Sequence, residues 1–235
     1  MKHHRLASLP LLLSSLSWAQ PFCVSPNASI PDDNPGGVQI PIAVDLAAGA
    51  RVTSITLDLD LAHQWVGDLV VSLISPGGVT AVLIDRPGIP STGFPGPFGC
   101  GGPNVLATIA DVAPVPVETV CSLVADPVIA GVVSPNEPLS VFMGELAQGT
   151  WTLDVSDRSV FDTGVVASAC LNISAELPCT PDLAEPLGEL NFFDISAFIG
   201  LFNSGDAAAD FAEPFGVLNF FDVAEYIALY GAGCP

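Results

Sequence analysis

The chain has 235 residues, half of them hydrophobic, and sets 25 acidic side chains against five Lys and Arg, for a formal net charge of −20 at pH 7. Nucleic acid and anionic membrane surfaces both require clustered positive charge, so neither is an expected partner. Lys2 is the sole lysine, so a chain that has lost its first residues cannot form a Schiff base with pyridoxal phosphate or a carbonyl substrate.

The chain opens with "MKHHR", then the apolar run "LASLPLLLSSLSWA" with small residues at Ser17 and Ala19. This pattern predicts a secretory signal peptide over 1–19, cut after Ala19. Pro10 interrupts the run, which is too short to span a bilayer. The expected product is exported and soluble, without a transmembrane segment, and retains Arg51, Arg86, Arg158 and His63 as its basic side chains.

Six cysteines follow the signal: Cys23, Cys100, Cys121, Cys170, Cys179 and Cys234. An even number in an exported chain favours three disulfides, and about fifteen pairings are open. With no C-x-x-C, neither a zinc site nor a redox motif is expected. Position favours Cys100–Cys121 as a local staple and Cys179–Cys234 as a bracket near the C-terminus, which leaves Cys23–Cys170.

Between residues 20 and 177 the segments "VQIPIAV", "RVTSITLDLDL", "DLVVSLIS", "VTAVLI", "PLSVFMG", "GTWTLDV" and "VVASACLNISAEL" read as strands. Turn signals separate them, such as Asn34-Pro35-Gly36-Gly37 and Ser75-Pro76-Gly77-Gly78. In "SITLDLDL", Ile55, Leu57, Leu59 and Leu61 face one way, while Thr56, Asp58 and Asp60 face the other. Seven or eight such strands predict a mainly β domain, an antiparallel β-sandwich.

The composition changes at 178. "DLAEPLGELNFFDISAFIGLF" from Asp182 returns 28 residues on as "DFAEPFGVLNFFDVAEYIALY" from Asp210. Ile195, Phe198, Ile199 and Phe202, and again Val223, Tyr226, Ile227 and Tyr230, are spaced as one face of a helix. The expectation for 178–235 is two loop-helix units that bury a shared aromatic seam. Asn191 and Asn219 read as N-caps, with Asp194 and Asp222 at the third helical position.

Several side chains carry two readings each. His63, with Asp68 nearby, has the residue types of a hydrolytic triad. No G-x-S-x-G elbow or oxyanion segment accompanies it, so a structural role is the expectation. Asp68, Asp157 and Asp162 stand at strand ends, either as calcium ligands or as turn-holding acceptors. Trp65 and Trp151 are either sugar-stacking platforms or packing residues.

The segments "ITLDLDLAHQWVGDLVVSLISPGGVTAVLIDRPG" and "SPNEPLSVFMGELAQGTWTLDVSDRSVFDTG" resemble the two halves of the P domain (P/Homo B domain) signature of kexin-like and furin-like subtilases. The resemblance implies a jelly-roll-like sandwich in which His63, Gly67, Asp68, Gly149 and Trp151 are structural signature positions. It also implies an accessory role: such proteases carry their catalytic residues in a separate, larger domain, for which this chain has no room. Where the family often ends with a tryptophan on its last strand, this chain has Gly164-Val165-Val166-Ala167-Ser168-Ala169-Cys170.

In the repeat, Gly188, Asn191 and Asp194, and again Gly216, Asn219 and Asp222, resemble the back half of an EF-hand-like loop and, with the duplication, a dockerin module. That resemblance implies calcium as cofactor, held by Asp182, Glu185, Asn191 and Asp194 and by Asp210, Glu213, Asn219 and Asp222. It also implies a protein or cell-surface anchor as partner. The front half departs from the pattern. Counting from Asp182, the third and fifth positions are Ala184 and Pro186, and the glycine comes one place late, so the loop is reshaped. The combined expectation is a non-catalytic exported binding protein, a sandwich displayed through a dockerin-like module. The alternatives are an accessory to a separately encoded subtilisin-like or kexin-like serine endopeptidase, and a carbohydrate-binding sandwich using Trp65 or Trp151.

Overall fold

A computed structural model of the chain describes residues 19–89, 98–186 and 189–234. The expected signal peptide, apart from Ala19, and Gly188 lie outside them. Among the described residues no helix is long and apolar enough to cross a membrane.

Among the described residues, ten strands form two sheets: β1 (Gln20–Val24), β2 (Ala28–Ile30), β3 (Asn34–Val44), β4 (Arg51–His63), β5 (Leu69–Ile74), β6 (Thr80–Asp85), β7 (Val105–Ile109), β8 (Ile129–Val133), β9 (Gly149–Asp157) and β10 (Gly164–Glu176). One sheet runs β1-β10-β4-β7-β8 with β2 also on β10, and the other runs β3-β9-β5-β6. The inner faces meet in a sandwich, because every strand with period-2 patterning has one apolar face to bury. From β4 come Ile55, Leu57, Leu59 and Leu61, and from the facing sheet Ile40, Ile42, Leu73, Leu153 and Val155, all buried. On the outer face Asp58 accepts from Thr108 Oγ1 of β7 at 2.5 Å and from Asn172 Nδ2 of β10 at 3.0 Å, a polar ladder across three strands.

The structure departs from the expected strand pattern in three places. β7 and β8 pair in parallel, unlike the rest of the sandwich, because the 110–128 connection carries the chain back to the end of β7 where it began. "PLSVFMG" is not a strand but a 3₁₀ turn over Leu139–Phe142. The Asp111 carboxylate accepts from the backbone N–H groups of Leu139 (2.7 Å) and Ser140 (2.8 Å), and Leu139 and Phe142, three apart and on one side of such a turn, are both buried. β1, β2, β7 and β8 are short strands that periodicity did not mark.

After β10 the chain forms two helices, α1 (Phe192–Ser204) and α2 (Phe220–Ala232). Their core is Phe198, Ala209 and Tyr226, with Ile195, Phe202, Phe211, Val223 and Tyr230 packed around it. Phe198 and Tyr226 occupy equivalent repeat positions and stack face to face, centroids 3.9 Å apart and 3° from parallel. Phe211 meets both rings edge-on. Ile199 and Ile227, expected in the seam, are instead exposed. Each lies about 100° around the helix from the stacked ring before it, so a contact centred on that ring turns the isoleucine outward.

The disulfides are Cys23–Cys170, Cys100–Cys121 and Cys179–Cys234. Cys23 and Cys170 face each other in the β1–β10 register. Cys179–Cys234 closes 55 residues of sequence around a helical core of few side chains, a size at which a covalent staple carries much of the stability. In the full chain, Cys179→Ser with Cys234→Ser should destabilise the helices by about 4 kcal/mol, the chain-entropy value for a loop of that length. Calorimetry and helical circular dichroism should then show loss of the helical transition with the sandwich transition unmoved. A single shifted transition would show that the two regions unfold together.

Candidate functional site

β4 alternates inward through Leu61 and delivers one further inward residue at its end, His63, only 2% exposed. Its Nε2 lies 3.1 Å from Oδ2 of Asp157, at the end of β9 in the opposite sheet, and its Nδ1 lies 2.9 Å from the Trp65 carbonyl oxygen. The other Asp157 oxygen accepts from the Ser159 backbone N–H at 2.9 Å. His63 and Asp157 thus tie the two sheets together at the rim of the sandwich. Nδ1 also faces the Trp65 backbone N–H at 3.2 Å, so one ring nitrogen is engaged by a carboxylate and the other by the backbone, and neither is placed to take a proton from a nucleophile. Ser156, also buried, uses its Oγ to accept from Arg158 Nε at 3.0 Å.

One glycine makes room for this lock and a second for the chain that passes beside Asp68. A Cβ on Gly164, the cross-strand partner of His63, would stand 2.4 Å from the imidazole Cδ2. A Cβ on Gly67 would stand 2.5 Å from the Cys100 nitrogen, where Gly67 N–H donates to Cys100 O at 2.9 Å. Asp68 is buried beside them, with Oδ1 3.8 Å from Arg86 Nη2. Burial, then the Asp157 charge, pushes the Asp68 carboxyl up to about 6 against the pull of Arg86. Asp162, half-buried, acts on Asp68 through space in the same upward direction. Of the two readings for the strand-end carboxylates, Asp157 holds a turn and a histidine, and Asp68 faces an arginine. Gly149 opens β9, two residues before Trp151.

Trp151 is fully buried, donates Nε1–H to Ala147 O at 2.9 Å and packs edge-on against Phe142. It is therefore core, not a sugar platform. Trp65 is half-buried, donates to Phe98 O at 2.8 Å and lies against Gly101.

The repeat loops are organised around carboxylates. Asp222, fully buried, accepts at Oδ1 from the N–H groups of Phe211 and Ala212 (2.9 Å each) and at Oδ2 from Asn219 N–H (2.7 Å). Asp194, also fully buried, takes Leu183 and Ala184 N–H (2.8 and 2.9 Å) and Asn191 N–H (2.7 Å). These bonds, the one to the N-cap first, hold both carboxyls below the usual range, against the effect of burial. Asn191 and Asn219 close capping boxes, their side-chain oxygens accepting from Phe193 and Phe221 N–H. In the second loop Asp210 Oδ2 accepts from Gly216 N–H, its Oδ1 is buried without a hydrogen bond, and Glu213 is exposed. Asp182 and Glu185 occupy the equivalent places in the first loop.

Calcium requires roughly six to eight hard oxygen ligands. Of the four proposed ligands in the fully described second loop, Asn219 turns its oxygen to the helix, Asp222 already collects three N–H donors, and Glu213 points to solvent. The donor set does not fit the ion. Among the described residues, one group of three or more His, Cys, Asp or Glu side chains has ligand atoms within 4.8 Å of one another, Cys179, Asp182 and Cys234, and its two sulfurs are joined as a disulfide.

Four aromatic side chains that the periodicity argument passed over stand out on the surface. Phe192 and Phe193 are 74% and 62% exposed, and Phe220 and Phe221 are 76% and 63% exposed. Each pair opens a helix, between the capping Asn and the buried Asp. The signal in the sequence was the identical "NFFD" of both copies, with phenylalanines off the seam stripe. Glu118 was also passed over: it is half-buried, accepts from Asp85 N–H at 2.7 Å, and burial pushes its carboxyl up to about 7.

Residues 52–94 match the family model for the proprotein convertase P-domain. The chain is 28% identical over 159 residues to a calcium-dependent protease of Trichormus variabilis, covering 66% of this chain and 19% of that one. It is 27% identical over 135 residues to a calcium-dependent protease of a Nostoc species, covering 56% of this chain and 15% of that one. The chain therefore spans less than a fifth of the length of these relatives. Among solved structures, the serine protease of Aeromonas sobria in complex with a chaperone gives a TM-score of 0.40 at 15% identity, covering 66% of this chain and 26% of that one. The protease alone gives 0.39 at 19% identity, covering 74% and 28%.

The carboxyl shifts make the two regions respond to pH in opposite senses. Asp68 and Glu118 rise above their ordinary values on folding, so their contribution is complete below about pH 4 and is lost as pH rises through about 6 to 7. Asp194 and Asp222 fall below theirs, so their contribution is present above about pH 4 and is lost on further acidification. Thermal scans should show the sandwich transition falling between pH 5 and 8. Glu118→Gln keeps an acceptor for Asp85 N–H and should raise that transition at pH 8 by roughly 5 °C, with little change at pH 5.

Proposed function

We propose that the chain is a non-catalytic exported protein in which the P-domain-like sandwich (20–177) is displayed through the helical repeat (178–235), which docks on a protein or cell-surface partner. The observation that carries this reading is the pair of exposed double phenylalanines. Surface-exposed large apolar clusters mark interaction sites, and here the same cluster is presented twice, at the same place on each repeat. Each pair sits on the first turn of a helix whose cap is locked from behind by a buried carboxylate, so the rings are held on a rigid support. Three disulfides support an extracellular setting. The engaged state of His63 supports a structural role for the residue that most resembles part of a catalytic triad.

A second reading has its own support in the P-domain match and the protease relatives: the sandwich serves a separately encoded subtilisin-like protease. The two differ in where the partner binds. Replacing Phe192, Phe193, Phe220 and Phe221 with Ser in the full chain should leave both thermal transitions near their original temperatures, because all four rings are already solvated. It should weaken saturable binding of the labelled protein to the surface of producing cells at least tenfold, about 1.4 kcal/mol. Undiminished binding by the variant would overturn docking through the repeat and move attention to the sandwich.

A further inference from the structure

The repeat resembles a calcium-loop module, yet each of its loops is wired for the opposite charge. In a calcium loop, oxygens from side chains and carbonyls converge on a cation. Here backbone N–H groups converge on an anion: Phe211, Ala212 and Asn219 on Asp222, and Leu183, Ala184 and Asn191 on Asp194. Both carboxylates are fully buried and sit at the third position of a helix, where the peptide dipoles also favour negative charge. These donors occupy the carboxylate oxygens that a cation would otherwise draw on.

The chemistry of the remaining side chains agrees. The third and fifth positions from Asp210 are Ala212 and Pro214, which carry no side-chain oxygen. Asn219 spends its amide on Val217 O and its oxygen on Phe221 N–H. Asp210 Oδ1 is the one described side-chain oxygen of this loop left buried and without a hydrogen bond, and a single side-chain oxygen is far short of the ligand set calcium takes.

We infer that the helical repeat folds and is held together without calcium, the Asp194 and Asp222 carboxylates doing for the loops what the cation does in a calcium module. The single residue inserted into each loop has a physical counterpart. It lets the chain after Asp182 and Asp210 turn two successive N–H groups inward onto the later aspartate. This goes beyond the docking proposal and does not depend on what the repeat binds.

The test uses the oxidised full chain, stripped with a chelator and dialysed. Calcium chloride is titrated in a calorimeter, and thermal unfolding is followed with and without saturating calcium. The helical transition should keep its temperature to within about 1 °C, since binding to the folded form alone would raise it by mass action. Asp194→Asn and Asp222→Asn each replace one acceptor with an N–H₂ that faces a donor. Each should lower the helical transition by roughly 10 °C, and calcium should not restore it. A calcium-dependent rise of the helical transition in the wild-type chain would overturn the inference, whether or not the aspartate variants fold. Saturable heat that disappears in the Asp182→Ala, Asp210→Ala double variant would overturn it as well. Heat that persists in that variant belongs to another part of the chain and supports metal-independent loops.

Discussion

The pairing of β10 with β4 is the interaction on which most of the molecule depends. These two strands, each spanning 13 residues, run antiparallel from Gly164 opposite His63 to Glu176 opposite Arg51. At one end the register sets a residue without a side chain against the imidazole, which lets His63 reach across to Asp157 and close the rim between the sheets. In the middle Cys170 stands opposite Asp58, and on its other side β10 meets β1, where Cys170 faces Cys23. At the far end it delivers the chain to Cys179 and the helices. A slip of one residue would exchange the faces of β10 and bury its polar side chains.

The buried carboxylates Asp68, Asp194 and Asp222 are handled in two ways, and the difference lies in their partners. Asp68 lies near Asp157 and meets Arg86 only at 3.8 Å, so burial dominates and its proton is held more tightly. Asp194 and Asp222 are buried just as deeply but receive three N–H groups each, so the charged form is favoured. The first arrangement leaves the sandwich rim sensitive to pH rising through about 6. The second gives each repeat a fixed negative centre from which both the loop and the helix start are positioned.

That fixed centre bears on the exposed aromatic pairs as well. The phenylalanine pairs follow directly after the capping asparagines and precede the buried aspartates, so their backbone is tied on both sides by the same capping box. Exposed aromatic rings on a mobile segment lose conformational entropy on binding; on a capped first turn much of that ordering is already in place. The stacked Phe198–Tyr226 pair then sets how the two copies sit against each other. The repeat therefore presents two like aromatic patches on one support.

Much of this was legible in the sequence because it depends on local periodicity. The alternation in "SITLDLDL" determined which face of β4 is buried, and the 28-residue repeat with Asn-x-x-Asp determined two capped helices sharing an aromatic seam, since these follow from the periods of strand and helix. The segment "PLSVFMG" misled, because its helical turn is induced by Asp111, a residue distant in sequence whose carboxylate collects two of its N–H groups. The parallel β7–β8 pair and the narrowing of the seam that expels Ile199 and Ile227 depend likewise on how elements meet, which no local pattern encodes. The same holds for the loops: Asp, Glu, Asn and Asp at those spacings are compatible with holding a cation or with receiving N–H donors. Only the tertiary structure decided that the N–H groups of Phe211, Ala212 and Asn219 meet on Asp222, because that depends on the path of the backbone from Asp210 to Asn219.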